Sequence, residues 1–247
     1  MRILISNDDG IGAPGILALT KAFSEAGHEV VVVAPDGQRS AASHSMTLFA
    51  PLSVKETDVV GAVRAYAVSG TPVDCVKLGL RNLYPEAEFV LSGINHGYNA
   101  GSDILYSGTV GAAMEGALND RPAMAVSLAH SREDTYDLAA RLAIEAYDML
   151  KEHPLPKNTV LNLNYPAVDR ALGLKAAPMK DTRYNDVYRV EEKAQGETCY
   201  YLGGSVDETM PRGDDDFSWL LAGYATMTVI GFDMTDHDAT NALKAAL

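Results

Sequence analysis

Asn7, Asp8 and Asp9 follow a short apolar run, ILIS (3–6), and precede Gly10, Gly12 and Gly15. Two adjacent carboxylates at the end of a buried strand repel each other unless a cation sits beside them. In open α/β sheets, ligands collect at the carboxyl ends of strands. The first expectation is therefore a divalent-metal site on a strand-to-helix turn. Such a site needs further oxygen donors from other strand-end loops. Ser40, in the polar loop PDGQRSAASHS (35–45), and Asn95, after FVLSG (89–93), can supply them. With Asp8 and Asp9 they make an all-oxygen set, suited to Mg²⁺, Mn²⁺ or Ca²⁺ rather than Zn²⁺.

The segment YSGTVGAAMEGAL offers the complementary half, a place for an anion. Ser107 or Thr109 can cap the helix, and Gly108 and Gly111 let a backbone come close to a ligand. Free N–H groups and the dipole at that helix start favour negative charge. The plainer reading is close packing of a small-residue helix on the sheet, and both can hold at once. Gly70-Thr71-Pro72 is a second, weaker helix start. His44 and His96 are candidates for proton transfer, although loop histidines are commonly just solvated.

Several other chemistries compete for the same residues. GIGAPG (10–15) fits G-x-G-x-x-G, follows a strand and opens a helix, with Asp36 placed where a ribose-binding acid would sit. Asp8 and Asp9, however, would put two negative charges beside the pyrophosphate, and Pro14 alters the turn. A phospho-receiver needs a phospho-accepting Asp at the end of a central strand, where this chain has Ser-Gly-Ile-Asn. The D-x-D-x-T pattern of haloacid-dehalogenase enzymes is absent. Asp8 and Asp9 could also be turn and capping residues alone.

The elements that must hold these residues are legible as alternating strands and helices. Strands are expected at 2–6, 29–34, 47–56, 62–68, 89–93, 123–128 and 159–164. Helices are expected at 15–26, from Thr71 to about Asn82, at 109–118 and at 134–151. That alternation predicts an α/β fold, a Rossmann-like, mostly parallel sheet flanked by helices. The stretch 168–216 is polar and turn-rich and reads as extended arms or hairpins, a common oligomerisation device. DFSWLLAGYATMTVIGF then reads as one or two strands, and a short helix closes the chain. The expected division is a catalytic core over 1–167 and an arm with a closing strand and helix over 168–247.

At 247 residues with a net charge of −13, the chain can bury a full core, and it shows no basic cluster of the kind nucleic-acid binders carry. An acidic protein that handles phosphate needs local positive field from a metal or a helix start. No apolar run approaches the roughly 18–20 residues of a membrane span, and no signal-peptide pattern stands before the first strand. Cys75 and Cys199 fit no metal or redox spacing and read as free thiols. Together these features imply a cytoplasmic protein with no membrane partner.

Five blocks, in order over residues 1–166, resemble the SurE family of stationary-phase survival-protein nucleotidases: MRILISNDDGIGAPG, APDGQRSAASHS, SGTPVDCVKLGL, LSGINHGYNAGSDILYSGTVGAAMEG and LNLNYP. GYATMTVIGFDMTDH is similar to the family's closing strand and tail. The resemblance implies a metal-dependent phosphomonoesterase acting on nucleoside 5′- and 3′-monophosphates, sometimes on short polyphosphate. It implies Asp8, Asp9, Ser40 and Asn95 as ligands of one Mg²⁺ or Mn²⁺ per subunit, with no organic cofactor. It also implies a C-terminal arm exchanged within a dimer, often paired into a tetramer, and gives Asp233, Thr235 and His237 a structural or inter-subunit role. On this reading Asp8, Asp9 and Asn95 are catalytic, and Asn99, Ser107, Gly108 and Thr109 bind the substrate phosphate. The alternative from another class is a non-enzymatic nucleotide or dinucleotide sensor on the same core.

Overall fold

The computed structural model describes residues 1–130, 132, 135–193, 196–207 and 209–247. The chain runs β1 (Arg2–Ser6), α1 (Pro14–Glu25), β2 (Glu29–Pro35), β3 (Val54–Thr57), β4 (Arg64–Val68), α2 (Pro72–Leu78), β5 (Phe89–His96), α3 (Gly108–Leu118), β6 (Ala123–Leu128), α4 (Tyr136–Glu152) and β7 (Thr159–Tyr165). It continues through β8 (Leu174–Ala176), β9 (Tyr184–Glu192), β10 (Thr198–Val206), α5 (Asp216–Leu221), β11 (Ala225–Gly231) and α6 (His237–Ala246). Nine strands form one sheet in the order β3-β4-β2-β1-β5-β6-β7-β11-β8. Its pairs are parallel except β3 with β4 and β11 with β7.

Period-2 alternation sorts the central strands' side chains between two cores. Ile3, Ile5, Val30, Val32 and Leu91 pack on one face with Ile16, Phe23 and Tyr147 of α1 and α4. Leu4, Val31, Val33 and Val90 pack on the other with Val76 of α2 and Val110 and Ala112 of α3. Both faces are covered, so β1 and β2 carry nearly continuous apolar runs, as buried parallel strands do. A Cβ on Gly116 would come within 2.6 Å of Val90, so the small residues of α3 do serve close helix–sheet packing.

The sequence expectations differ from the structure in three places. Residues 47–53 are not a strand: Thr47 is tied to Asp74 through its N–H at 2.9 Å and hydroxyl at 2.7 Å, and Phe49 is fully exposed. The strand expected at 89–93 continues to His96, because a register shift between Ser92 and Asn95 lets Asn95 and His96 pair with Ser127 and Leu128. Asn95 is thus a strand-end residue rather than a loop residue. The segment opening with DFSWLL begins as helix α5, capped by Asp215, whose carboxylate accepts from the Ser218 N–H at 2.7 Å. The expected helix start at 134 lies outside the described residues.

After residue 167 the chain does two things. β8 and β11 extend the main sheet, whereas β9 and β10 form a separate two-stranded hairpin. The hairpin leaves Val187, Tyr188, Val190, Tyr200 and Leu202 exposed. Cys75 and Cys199 are both free thiols. Among the described residues no helix is long and apolar enough to cross a membrane.

Candidate active site

The turn after β1 is closed by Asn7. Its side-chain amide donates to the Gly10 carbonyl at 2.9 Å, and its Oδ1 accepts from the Gly10 N–H at 3.2 Å. Gly10 sits at φ +99°, in the left-handed region that glycine adopts without strain. Asp8 and Asp9 are held inside this closed turn. The Thr109 hydroxyl donates to the Asp8 carboxylate, and the Thr109 N–H also stabilises its charge. A Cβ on Gly108 would lie 3.0 Å from the Asp8 Cβ, so only glycine lets the helix start come this close. Burial pushes the Asp8 carboxyl up to about 6; Thr109 works against this, while Asp9 adds like-charge repulsion.

Two backbone contacts bring the other expected ligands to this turn. The Arg39 N–H donates to the Asp8 carbonyl at 2.7 Å, which sets Ser40 one residue away. The His96 N–H donates to Asp9 Oδ2 at 3.1 Å, which sets Asn95 one residue away. Asn95 spends its amide nitrogen on the Gly97 carbonyl at 2.9 Å, and no donor among the described residues meets its Oδ1. Ser40 Oγ accepts from Gln38 at 2.9 Å and keeps a second lone pair. Among the described residues no lysine, arginine or histidine pairs with Asp8 or Asp9. The described residues contain no group of three or more His, Cys, Asp or Glu able to hold a metal. A cation here would complete its shell with the neutral oxygens of Ser40 and Asn95, a donor set that fits a hard divalent ion.

The helix start differs in part from the expectation. Ser107 is its N-cap, accepting from the Val110 N–H at 3.1 Å. Thr109 is fully buried, and its groups face Asp8, so the positive end of α3 serves a protein carboxylate directly. Asn99 is buried in an amide network. Its N–H donates to Asn164 Oδ1 at 2.9 Å, its side-chain nitrogen donates to Ser127 Oγ at 2.8 Å, and its carbonyl accepts from Asn162 and Asn164. The weaker helix start at Thr71 is closed by Asp74, which accepts from the Thr71 N–H at 2.9 Å in a capping box.

The remaining candidates lie in other surroundings. The His96 ring stacks on His130 with centroids 4.0 Å apart. His44 reaches Glu115 at 3.2 Å. Asp233, Thr235 and His237 form an exposed local turn: the Thr235 N–H and the His237 ring donate to Asp233 at 2.9 and 2.8 Å. Bonds to Thr235, then His237, hold the Asp233 carboxyl down at about 2. Gly15, the last glycine of the apparent dinucleotide fingerprint, packs on β5; a Cβ there would fall 1.9 Å from the Ile94 carbonyl oxygen.

Sequence reading misses three contributors: Glu115, Asn162 and Asn164. Glu115 carries no sequence signal that sets it apart within its helix. Thr109, expected at the substrate phosphate, also donates to the Asp8 carboxylate. Asn162 and Asn164 were visible only as alternate positions in TVLNLN, where buried polar residues two apart signal an internal network.

A family model described as Survival protein SurE matches residues 3–186. The chain is similar to "5'-nucleotidase SurE" of Kosmotoga olearia, with 41% identity over 100% of this chain and 98% of that one. It is similar to the protein of the same name from Clostridium beijerinckii, with 42% identity over 96% of this chain and 95% of that one. A solved structure titled as the Sure protein from Aquifex aeolicus superposes with a TM-score of 0.86 and 31% identity, covering 100% of this chain and 99% of that one. The chain belongs to the SurE survival-protein family.

Proposed function

We infer that this chain is a divalent-metal-dependent phosphomonoesterase that hydrolyses nucleoside 5′- and 3′-monophosphates, with short polyphosphate as a further substrate. The relatives' name, 5'-nucleotidase, supports the substrate class. One observation carries the reading on this chain's own residues: Asp8 and Asp9 lie side by side without a cationic partner among the described residues, where backbone bonds tie in the loop bearing Ser40 and the end of β5 bearing Asn95. Asp8, Asp9, Ser40 and Asn95 would hold one Mg²⁺ or Mn²⁺ per subunit. When bound, that ion supplies Lewis-acid polarisation of the phosphoryl group and a more acidic water.

The protein's residues divide the remaining work. Asp8, clamped by Thr109, is fixed in position. Asp9 has Oδ2 held by the His96 N–H and, among the described residues, no bond at Oδ1, which suits it to orient the attacking water and take its proton. The Asn95 amide and the α3 start at Ser107–Thr109 share charge that develops on the phosphoryl oxygens. Asn99 holds that wall in place through Ser127 and Asn164. The exposed hairpin β9–β10 supports exchange of the 168–247 arm within a dimer or tetramer, packed on the 1–167 core.

The test is phosphate release from a panel of nucleoside 5′- and 3′-monophosphates with Mn²⁺, with Mg²⁺ and with EDTA, beside a fluorescence titration with NADH. Metal-dependent release and no NADH binding are expected. NADH binding without phosphate release would replace this reading with the sensor.

A further inference from the structure

The loop after β2 carries Ser40, yet it has little regular structure to hold it. Ala41 and Ser43 lie at φ +56° and +53°, a left-handed conformation that non-glycine residues keep only where their surroundings enforce it. The structure shows what enforces it. The Ser43 N–H donates to the Tyr106 carbonyl at 3.0 Å, and the Ser43 hydroxyl donates to the Leu105 carbonyl at 2.7 Å. The Ser43 carbonyl then packs onto α3 at Gly111, where a Cβ would come within 2.6 Å of its oxygen. One helical turn further, on the same face of α3, Glu115 accepts from the His44 ring at 3.2 Å. Beyond this the loop is anchored to α2, where the Thr71 hydroxyl donates to the Ser45 carbonyl at 2.8 Å.

Glu115 is an unusual residue to find there. It is 1% exposed on a helix otherwise made of small and apolar residues. A buried carboxylate is costly unless its oxygens are satisfied. Here three side chains do so: Lys77 at 2.7 Å, Asn119 at 2.8 Å and His44. Burial alone would raise its carboxyl, but the bonds from His44, Lys77 and Asn119 outweigh this and hold it at about 2. Lys77 and Asn119 reach it from α2 and from the end of α3 itself. His44 is the one of the three that belongs to the loop bearing Ser40.

We propose that Glu115, acting through His44, is a positioning residue that latches the 36–45 loop along α3, so that Ser40 stands beside Asp8 before a metal ion arrives. This rests on the reading of Ser40 as a metal ligand. Glu115 sits at the far end of the loop's contact with α3 and touches neither substrate nor ion. Its effect reaches the site through the Gly111 contact and the Arg39–Asp8 backbone bond.

The test uses full-length His44→Ala and Glu115→Gln, with His44→Gln as the rescue because its amide can still donate to Glu115. Hydrogen exchange of the metal-free proteins reads the loop directly, and the EPR signal of free Mn²⁺ reads binding. Latch loss should speed exchange of the Arg39 and Ser43 amides by about tenfold and leave β1 and β5 unchanged. Mn²⁺ should bind about 10-fold to 100-fold more weakly, as when a group supporting a metal ligand is removed. Turnover of AMP at saturating Mn²⁺ should stay within about threefold, a change in metal requirement rather than in the chemical step. His44→Gln should restore both loop protection and binding. Unchanged exchange at Arg39 and Ser43, or unchanged Mn²⁺ affinity, in a folded His44→Ala or Glu115→Gln protein overturns the proposal. If the wild type binds Mn²⁺ but releases no phosphate from any mononucleotide, the nucleotidase reading fails, and the exchange and Mn²⁺ data still decide the latch.

Discussion

The Thr109 hydroxyl donates to the Asp8 carboxylate across the space between the first strand's turn and the start of α3, and both side chains are buried. This bond joins the two halves that the sequence shows as separate motifs. It also opposes the burial that lifts the Asp8 carboxyl to about 6. Thr109→Val keeps the side chain's shape and removes the donor, so the Asp8 carboxyl should rise further. Infrared titration of the metal-free protein should show Asp8 ionising at higher pH than in the wild type. An unmoved titration would mean that the hydroxyl contributes nothing to the charge on Asp8.

The same carboxylate makes a prediction about stability. Its folded pKa lies above the ordinary value of 3.8, so between 3.8 and about 6 the folded protein binds more protons than the unfolded chain. Stability from this group is therefore fully present below 3.8 and is lost as pH rises through about 6. The gap corresponds to on the order of 3 kcal/mol at pH 7. Metal-free Asp8→Asn should accordingly be more stable than the wild type at pH 7, by an amount of this order, and lose that advantage at pH 3.5. Mn²⁺ should raise the thermal midpoint of the wild type and not that of the variant. Denaturation of both proteins across pH checks this; equal stability at pH 7 would show that Asp8 is not held ionised against its preference.

Gly108 tests the closeness of the approach. A Cβ there meets the Asp8 Cβ at 3.0 Å and its Oδ2 at 3.1 Å. Gly108→Ala must push Asp8 aside while the helix keeps its cap on Ser107. A displacement of this size should lower kcat/KM by about a hundredfold. Circular dichroism should show the helix content retained. Near-wild-type turnover would separate the position of Asp8 from catalysis.

Much of this arrangement was readable from the chain, and particular residues show why the rest was not. The strand ILIS, the β-branched EVVVVA and the cap at Thr71 announce themselves by composition and local chemistry, and the structure has them there. The ends of β5 and the start of α5 depend on partners far along the chain. Asn95 joins the strand only because Ser127 lies opposite it after the register shift. Phe217 and Trp219 look like strand residues until Asp215 caps them into a helix. Arg39 and His96, the neighbours of the expected ligands Ser40 and Asn95, reach the Asp8–Asp9 turn through backbone groups, which no residue type encodes. Glu115 was silent for the same reason, since its meaning depends on His44 and Lys77 lying on other elements.

Gly15 shows how one pattern can serve a different end. The G-x-G-x-x-G spacing of residues 10–15 reads as a phosphate cradle, but its last glycine lets α1 lie against β5 just before Asn95. Gly15→Ala would drive a Cβ to 1.9 Å from the Ile94 carbonyl oxygen. Helix and strand must then part, at a cost of about 3 kcal/mol for an overpacked buried contact. Urea denaturation should register that loss, and Mn²⁺ binding should weaken as Asn95 shifts. A variant as stable as the wild type would mean that the α1–β5 contact is slack.

The identity of the donor atoms can be tested by changing one of them. Asp8, Asp9, Ser40 and Asn95 offer oxygen only, which favours hard ions. EDTA should silence phosphate release, and Mg²⁺ or Mn²⁺ should restore it. Ser40→Cys replaces a neutral oxygen with a soft sulfur at nearly constant size. Support by Mg²⁺ should then fall by about tenfold or more, while Cd²⁺, which prefers sulfur, should gain relative to Mg²⁺. The ratio of the two metal-supported rates, taken in the variant over the wild type, cancels any general loss of activity. Ser40 lies on an exposed loop, and among the described residues only Gln38 engages its Oγ, so the substitution leaves the core untouched. An unchanged Cd²⁺-to-Mg²⁺ ratio would remove Ser40 from the ion's shell and leave its place to a water molecule.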